Sequence, residues 1–182
     1  MSLSIIACMD KAFGIGFNNK LLAHMPNDLK RFKQLTKNKF CIMGRKTYES
    51  IIDINGEPLQ DRVSIVLTLN KSYSPPKANE SVLVYNNLDN LIFHLNVLNT
   101  VETGLSEEES EIMVCGGSTI YEQLFPYVDK MYLTIIHHKF EHVDSYFPRF
   151  KMKYWNIDEV KHQRADGIHK YDYSFMTLSK KN

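Results

Sequence analysis

Long apolar runs are missing from the 182-residue sequence: no uninterrupted stretch approaches the roughly 20 apolar residues that a membrane span requires. The first apolar stretch, SLSIIACM, has no basic segment before it and is too short for a secretory signal. A formal net charge of +1 gives no basic excess with which to bind a nucleic acid backbone. These absences predict a soluble, untargeted protein that binds neither membrane nor nucleic acid.

Cysteine is also scarce. The three cysteines, Cys8, Cys41 and Cys115, each stand inside an apolar run that is typical of a strand. An odd number in such positions does not suit a disulfide framework and fits a reducing compartment. We therefore expect a cytoplasmic protein.

Signals for metal binding and nucleophilic hydrolysis are weak. His137, His138 and His142 are close in sequence, but adjacent strand residues face opposite ways and no Cys, Asp or Glu completes a ligand spacing. The sequence contains no Gly-x-Ser-x-Gly motif. We expect no metal site and no hydrolytic triad.

What the sequence does contain is a regular alternation of short apolar, β-branched runs with helical periods. With 43% hydrophobic and 24% charged residues, the chain can bury one core, and we place no domain boundary in residues 1–182. The alternation predicts an α/β fold with a mostly parallel sheet covered on both faces. The tail segments KYWNIDEVKHQ and HKYDYSFMTL alternate with period two, which predicts an antiparallel hairpin and hence a mixed sheet.

Asp28, in LLAHMPNDLKRFK, is the first candidate for function. It follows a Pro-Asn corner and precedes Leu29, with Phe32 one turn further along a predicted helix. A carboxylate there either caps the helix, as Asn27 could also do, or meets a ligand. The pattern alone leaves both interpretations open.

Three predicted strand ends carry groups suited to phosphate. IMVCGGSTIYEQL ends a strand in Gly116-Gly117 before a helix, although paired glycines also end strands for structural reasons. FCIMGRKTYES places Gly44, Arg45 and Lys46 before a helix that Thr47 could cap, although both cations could be surface charge. VLTLNKSY adds Thr68, Asn70 and Lys71. Together they favour a phosphorylated nicotinamide cofactor.

The segment 10–26 is long and irregular, with glycines at 14 and 16. Long loops inside compact domains are usually functional, so we expect a lid. Its Gly-Ile-Gly is too short for a dinucleotide fingerprint.

The order of these motifs closely resembles dihydrofolate reductase: a Gly-Ile-Gly loop, Pro-x-Asp-Leu-x-x-Phe-Lys, Ile-Met-Gly-Arg-Lys-Thr-Tyr-Glu-Ser-Ile, a Gly-Gly strand end and a late Phe-Pro. The resemblance extends from Ser4 to the last strand. It implies a single-domain, three-layer fold with an eight-stranded sheet. It also implies that Asp28 pairs with the amino group and ring N–H of a pterin, a role that fits a carboxylate walled by apolar side chains.

The resemblance also assigns the remaining site residues. The substrate-binding positions it implies are Ile6, Cys8, Asp28, Leu29, Phe32, Ile51, Leu59, Arg62, Cys115, Tyr121 and Thr134. The implied cofactor-binding positions are Cys8, Ile15, Gly16, Asn19, Gly44, Arg45, Lys46, Thr47, Thr68, Leu69, Asn70, Cys115, Gly116, Gly117, Ser118, Thr119, Ile120 and Tyr121. Arg62 is expected to clamp a carboxylate of the glutamate tail, and Thr134 to hydrogen-bond Asp28.

Departures from the family pattern concentrate in the lid. Leu22 and Ala23 stand where the family has Pro-Trp, and Val143 replaces a usual glycine beside the retained Asp144. The acidic stretch 102–111 resembles an insertion. These changes predict a looser lid with the same reaction.

The implied activity is NADPH-dependent reduction of 7,8-dihydrofolate to tetrahydrofolate by a monomeric, antifolate-binding oxidoreductase. One alternative is an NADPH-dependent pyrimidine reductase of riboflavin synthesis, which would not need Asp28 together with Arg62. Another is a cofactor-binding module without turnover, motivated by the missing lid tryptophan.

Overall fold

The computed structural model describes residues 2–100 and 111–181. Within this part of the chain the α-helices are α1 (Pro26–Thr36), α2 (Arg45–Asn55), α3 (Leu88–Thr100) and α4 (Ser118–Leu124). The strands there are β1 (Leu3–Asp10), β2 (Gly14–Gly16), β3 (Phe40–Gly44), β4 (Val63–Leu67), β5 (Val82–Tyr85), β6 (Ile112–Gly116), β7 (Lys130–Ile136), β8 (Ser145–Tyr146), β9 (Trp155–Gln163) and β10 (Tyr173–Lys180). Short 3-10 turns lie at Phe125–Tyr127 and Met152–Tyr154.

The central sheet has eight strands in the order β5-β4-β3-β6-β1-β7-β10-β9. The first six are parallel, and β10 and β9 add to β7 as an antiparallel hairpin. This mixed, mostly parallel sheet confirms the predicted fold class. A separate small sheet of β2 and β8 was not expected from the sequence, because strands of three and two residues carry no readable period.

Alternation along β1 creates the two covered faces of the sheet. Ile5 packs in a buried cluster with Leu91 of α3 and Leu124 of α4. The next residue, Ile6, points the other way and packs with Tyr48 of α2, in a cluster that α1 also covers. Helices α3 and α4 therefore lie on one face and α1 and α2 on the other, which confirms the three layers.

The sheet reverses its strand order at its centre. The chain runs outward through β3, β4 and β5, and then returns to insert β6 between β3 and β1. In open α/β sheets, ligands bind beyond the carboxyl ends of the strands at such a switch point. We therefore look for the site beyond the carboxyl ends of β4, β3, β6, β1 and β7, which we call the carboxyl edge of the sheet.

Two predictions concern segments away from this edge. No helix in the described ranges is long and apolar enough to cross a bilayer. The acidic stretch 102–111 lies outside the described residues except for Glu111, which is buried beside the start of β6.

Candidate active site

A cavity opens at the carboxyl ends of β1 and β7, beside the first turn of α1. Asp28 and Leu29 of α1 and Cys8 of β1 contribute to its wall. Its full lining is Cys8, Met9, Ile15, Leu21, Leu22, Ala23, Met25, Asp28, Leu29 and Ile136. The carboxylate of Asp28 is thus the charged group of an otherwise apolar wall.

The environment of Asp28 shifts its protonation. Burial raises the pKa of Asp28, while the nearby Thr134 hydroxyl and Arg31 guanidinium lower it in part. The cap position of α1 is Met25, and no side chain caps this helix, so the capping interpretation of Asp28 is wrong. The carboxylate faces a cavity with its hydrogen-bonding capacity available for a ligand.

Thr134 lies below this carboxylate on β7. Thr134 is 1% exposed, and its Oγ1 atom makes no hydrogen bond of standard geometry within the described residues. The hydroxyl nevertheless lies close enough to Asp28 for hydrogen bonding between the two side chains to lower the pKa of the carboxyl, so the predicted bond between them stays a prediction. A buried hydroxyl needs partners, so this arrangement fits a site whose hydrogen bonds are completed by a polar ligand or water.

One face of α1 leads from Asp28 towards Arg62. Asp28, Phe32 and Thr36 are spaced four residues apart and so lie on this face, with about 12 Å of helix from the first to the last. Arg62 is held at the far end, where Nη1 donates to Thr36 Oγ1 at 3.3 Å and Nε donates to Gln60 O at 2.6 Å. This face of α1 thus has a carboxylate near its start and a cation at its end.

Five of the predicted apolar substrate positions pack in one cluster. Ile6 and Leu59 are buried, and Phe32, Ile51 and Cys115 are half-buried against the same cluster. Phe32 and Ile51 are not part of the cavity wall around Asp28 itself.

Three neighbouring strands end in the predicted cofactor positions. Gly44 follows β3 as the N-cap of α2, and no side chain caps that helix, so the predicted cap by Thr47 is wrong. The first N–H groups of α2 are therefore open to an anion. Arg45 is not free surface charge, because Nη1 lies 3.1 Å from both carboxylate oxygens of Glu49.

The loop after β4 brings Thr68 and Asn70 to the same edge. Asn70 donates its backbone N–H to Thr68 Oγ1 at 3.3 Å, and Asn86 Nδ2 donates to both backbone carbonyls at 3.1 and 3.0 Å. Leu69, between them, is 92% exposed. The loop is thus fixed by hydrogen bonds while its outer surface remains open.

The end of β6 requires glycine for two reasons. Gly116 has φ of +96°, and a Cβ there would lie 2.8 Å from the ring of Tyr121. Tyr121 OH donates to Ile6 O at 2.7 Å and so fixes α4 to β1. Helix α4 begins at Ser118, as predicted, with Thr119 and Ile120 following. Backbone rather than side chains lines this part of the edge, next to Cys115 and Gly117.

The lid is anchored at both of its sides by aspartates. Asp10 is 1% exposed, and its Oδ1 accepts from Ala12 N at 2.8 Å and Gly14 N at 2.7 Å. Its Oδ2 accepts from Phe140 N at 3.0 Å, which ties the lid to the segment after β7. Asp144 accepts from Asn18 N at 2.8 Å. Contact between the lid and the 137–146 segment is therefore made, as predicted.

The lid substitutions have visible consequences. Leu22 and Ala23 both line the cavity, so the wall here is aliphatic and small at position 23. Val143 packs against Gly14, where a Cβ would lie 2.9 Å from Val143 Cγ1. Asn19, at the outer side of the lid, donates to Lys46 O at 3.4 Å. The lid therefore bridges the substrate cavity and the start of α2.

Sequence reasoning missed three polar residues that support the site. Asp10 ends an apolar strand four residues before Gly14, a spacing typical of a side-chain-stabilised turn. Arg31 and His169 gave no local signal, because their partners are more than 100 residues away. Arg31 Nη1 donates to Leu133 O at 3.3 Å, and the guanidinium lies 4.7 Å from the centre of the Phe175 ring.

Of the three clustered histidines, His137 shares a serine hydroxyl with a histidine from β9. His137 Nε2 and His162 Nδ1 each lie 2.7 Å from Ser174 Oγ. No group of three or more His, Cys, Asp or Glu side chains with metal-site geometry occurs in residues 2–100 and 111–181.

The fold and the site together define a class: a three-layer α/β enzyme with a buried carboxylate in a small-molecule cavity and glycine-lined strand ends suited to a nucleotide. Comparison with known proteins makes the class specific. The family model described as dihydrofolate reductase matches residues 2–180. The chain belongs to the dihydrofolate reductase family and is an oxidoreductase.

Individual relatives agree over full length. The chain is 36% identical to the dihydrofolate reductase of Bacillus subtilis over 180 residues, covering 99% of this chain and 95% of the relative. It is 35% identical to that of Buchnera aphidicola over 182 residues, covering 99% and 100%. Among solved structures, it is similar to dihydrofolate reductase from Enterococcus faecalis complexed with NADP(H) and RAB-propyl, with a TM-score of 0.80, 28% identity and coverage of 100% and 97%.

Proposed function

We propose that the chain reduces 7,8-dihydrofolate to 5,6,7,8-tetrahydrofolate with NADPH, and that Asp28 is the residue that binds and orients the pterin ring. The observation that carries the proposal is the cavity wall: one carboxylate among apolar side chains, with the buried Thr134 hydroxyl beside it. A pterin offers an amino group and a ring N–H side by side. These two donors match the two oxygens of one carboxylate.

Asp28 acts by binding and polarising rather than by forming a bond. An ionised carboxylate in an apolar wall attracts the donor edge of the pterin and favours its protonated form. Because Asp28 contacts that edge, the proton for the reduced ring nitrogen arrives through water, for which the small side chain of Ala23 leaves space beside the lid. The Thr134 hydroxyl supplies a second fixed polar group at the same depth.

The residues at the other strand ends fit NADPH. The N–H groups at the start of α2 and the backbone at Gly116-Gly117 suit phosphate groups, and Lys46 and Thr68 add a cation and a hydroxyl. Leu69 offers an exposed apolar surface to a flat ring. When bound, NADPH supplies the hydride. Ile15, Cys115 and Tyr121 lie between these cofactor positions and the substrate cavity.

Arg62 supplies specificity for the folate tail. Two hydrogen bonds hold the guanidinium at the C-terminal end of α1, about 12 Å along the helix from Asp28. A ligand whose ring contacts Asp28 therefore presents its glutamate carboxylate to Arg62, with Leu29, Phe32, Ile51 and Leu59 as apolar walls between. A pyrimidine reductase of riboflavin synthesis has no such tail to bind.

The direct test follows the absorbance of reduced nicotinamide after purified wild-type protein is mixed with NADPH and dihydrofolate, with NADH in parallel. We expect fast oxidation of NADPH and slower oxidation of NADH, because Lys46 and Thr68 favour the phosphorylated cofactor. Tight NADPH binding without oxidation would instead favour a binding module.

A second test separates the folate substrate from smaller heterocycles. Arg62→Met should raise KM for dihydrofolate about tenfold or more, the usual cost of losing a charge-assisted carboxylate contact. It should leave KM for a dihydropterin without the glutamate tail unchanged. Equal effects on both substrates would contradict the role of Arg62.

The remaining expectations concern the state of the protein. Cys8, Cys41 and Cys115 are all free thiols, which supports a reducing compartment such as the cytoplasm. We propose that the protein acts as a monomer, because the predicted cofactor positions and the Asp28 cavity lie at neighbouring strand ends of the same sheet.

A further inference from the structure

Helix α1, which carries Asp28, begins without a cap of its own. Met25 occupies the N-cap position with no side-chain hydrogen bond, and Pro26 has no N–H to donate. The first intrahelical bond runs from Leu29 N to Met25 O. The backbone N–H of Asn27 is therefore an orphan donor next to Asp28, and such a donor needs a partner from elsewhere.

His169 supplies that partner from the loop between β9 and β10. Asn27 N donates to His169 Nε2 at 3.3 Å across 142 residues of sequence. His169 is 2% exposed, and its ring centre lies 5.2 Å from that of Tyr173. Tyr173 OH in turn accepts from Asn27 Nδ2 at 2.7 Å. The loop and the first residue of β10 thus each hold the start of α1 by one hydrogen bond.

Asp166 fixes the form of His169 that can accept this bond. Asp166 Oδ1 lies 2.9 Å from His169 Nδ1, and the same oxygen accepts the backbone N–H groups of Ile168 at 2.8 Å and His169 at 2.7 Å. A carboxylate only accepts, so Nδ1 carries the proton and Nε2 keeps its lone pair. The arrangement is an Asp-His pair directed at a helix N-terminus.

We propose that His169 is a positioning residue for dihydrofolate reduction: it accepts the hydrogen bond that α1 cannot satisfy and so fixes the turn in which Asp28 meets the substrate. The inference rests on the proposed role of Asp28. Asp166 acts indirectly, because it fixes the tautomer of His169. The loop between β9 and β10, which touches neither the substrate cavity nor the cofactor edge, thereby contributes to substrate affinity.

Three substitutions at one position isolate the hydrogen bond. In His169→Gln, the side-chain oxygen can reach the place of Nε2 and accept from Asn27. His169→Asn keeps a polar group near Asp166 but does not reach Asn27, and His169→Leu keeps volume without an acceptor. We expect the Asn and Leu variants to raise KM for dihydrofolate about fivefold, the usual effect of losing a helix cap. The Gln variant should have a KM close to that of the wild type. The Kd for NADPH should be unchanged in all three.

Two further measurements distinguish positioning from general destabilisation. Amide hydrogen exchange should show Asn27 protected in the wild type and in His169→Gln, and unprotected in His169→Leu. In an Asp28→Asn background, His169→Leu should have little further effect on KM, because its action passes through Asp28.

Failures of the two proposals are separable. A wild-type chain that does not oxidise NADPH with dihydrofolate would overturn the proposed function. An active wild type whose KM is unchanged in both His169→Leu and His169→Asn, or a KM effect that persists in the Asp28→Asn background, would overturn only the role of His169.

Discussion

Two opposing effects act on the pKa of Asp28, the single carboxylate in the cavity wall. Burial in the apolar wall raises the pKa of Asp28, and the Arg31 guanidinium on the next turn of the same helix lowers it. Arg31 is fixed for this purpose between α1 and the sheet, 4.7 Å from the centre of the Phe175 ring and 5.8 Å from that of Tyr132. Arg31 therefore adjusts how readily Asp28 ionises without entering the cavity wall.

Replacing Arg31 tests this balance at the residue scale. Arg31→Met keeps length and apolar packing but removes the positive charge, so the pKa of Asp28 should rise further and less of it should be ionised at neutral pH. Arg31→Lys keeps the charge and should leave the titration midpoint close to that of the wild type. The carboxyl carbon signal of Asp28, followed by NMR against pH and assigned with Asp28→Asn, reports the midpoint directly. A midpoint that is the same in the Met variant would exclude the charge effect.

Among the elements, the lid depends most clearly on one side chain. Asp10 closes β1 and accepts three backbone N–H groups, two from the lid and one from the segment after β7. The lid is also held by the pairing of β2 with β8 and by the packing of Phe13 and Ile15 against the core. The buried hydrogen bonds of Asp10 fix the turn at the base of the lid.

Asp10→Asn should loosen the lid while preserving its shape. The amide nitrogen cannot accept, so at least one backbone N–H loses its partner and the free energy of unfolding should fall by about 2 kcal/mol. Urea unfolding and amide exchange at Ala12 and Gly14 measure the two effects. Asp144→Asn is the matched control, because Asp144 is exposed and accepts one lid N–H, so its cost should be smaller. Equal costs would contradict the claim that burial of Asp10 is decisive.

The long elements were predictable from the sequence, and the fine structure was not. Apolar alternation and helical periods indicated the mixed, mostly parallel sheet and the helices that cover it, because burial of each face imposes these periods on the residues. The number of eight strands came from the family resemblance. The sheet of β2 and β8 is too short to show a period. The predicted cap by Thr47 was wrong, because the position of a side chain depends on its packed neighbours.

The site residues also divide into those that the sequence predicted and those that it did not. Asp28, Gly44 and Gly116 stand at strand ends and helix starts, where sequence punctuation is strong, and the structure brings them to the carboxyl ends of the strands. Arg62 precedes β4 and lies at the other end of α1 from Asp28. Asp10, Arg31 and His169 depend on partners far away in sequence, and a lone charged residue does not show from sequence whether it will be buried.

At the scale of the whole molecule, a buried ionic network and the Asp28 cavity lie at opposite ends of the strands. Glu111, before β6, is 5% exposed and forms an ion pair with Lys39, before β3. It also accepts from Ser4 Oγ at 2.5 Å and from Tyr132 Oη at 3.1 Å. These partners belong to or adjoin the amino ends of four neighbouring strands, β3, β6, β1 and β7. The Glu111 carboxylate therefore connects the four central strands of the sheet.

Glu111→Gln should lower the free energy of unfolding by about 3 kcal/mol, because Lys39 would be left buried without its counter-charge. Although burial opposes ionisation, the hydrogen bonds from Lys39 and Ser4 lower the pKa of Glu111 below its ordinary value. The stabilisation is therefore fully present above the ordinary glutamate pKa and is lost as pH falls through the lowered one.

Urea unfolding across this pH range measures the difference between Glu111→Gln and the wild type. Lys161→Gln is the control, because the Lys161–Glu159 pair is exposed at 60% and 49% and should contribute less than about 1 kcal/mol. KM for dihydrofolate should be unchanged in both variants. A Glu111→Gln variant as stable as the control would contradict the account of this edge.

The most direct test of the central claim is the rate of NADPH oxidation with dihydrofolate by the wild type and by Asp28→Asn across a range of pH. If Asp28 orients and polarises the pterin, kcat/KM of the variant should fall at least about a hundredfold at neutral pH. Part of the loss should be recovered at low pH, where dihydrofolate arrives already protonated. A variant that matches the wild type at every pH would contradict the account, because the buried carboxylate would then have no part in the reaction.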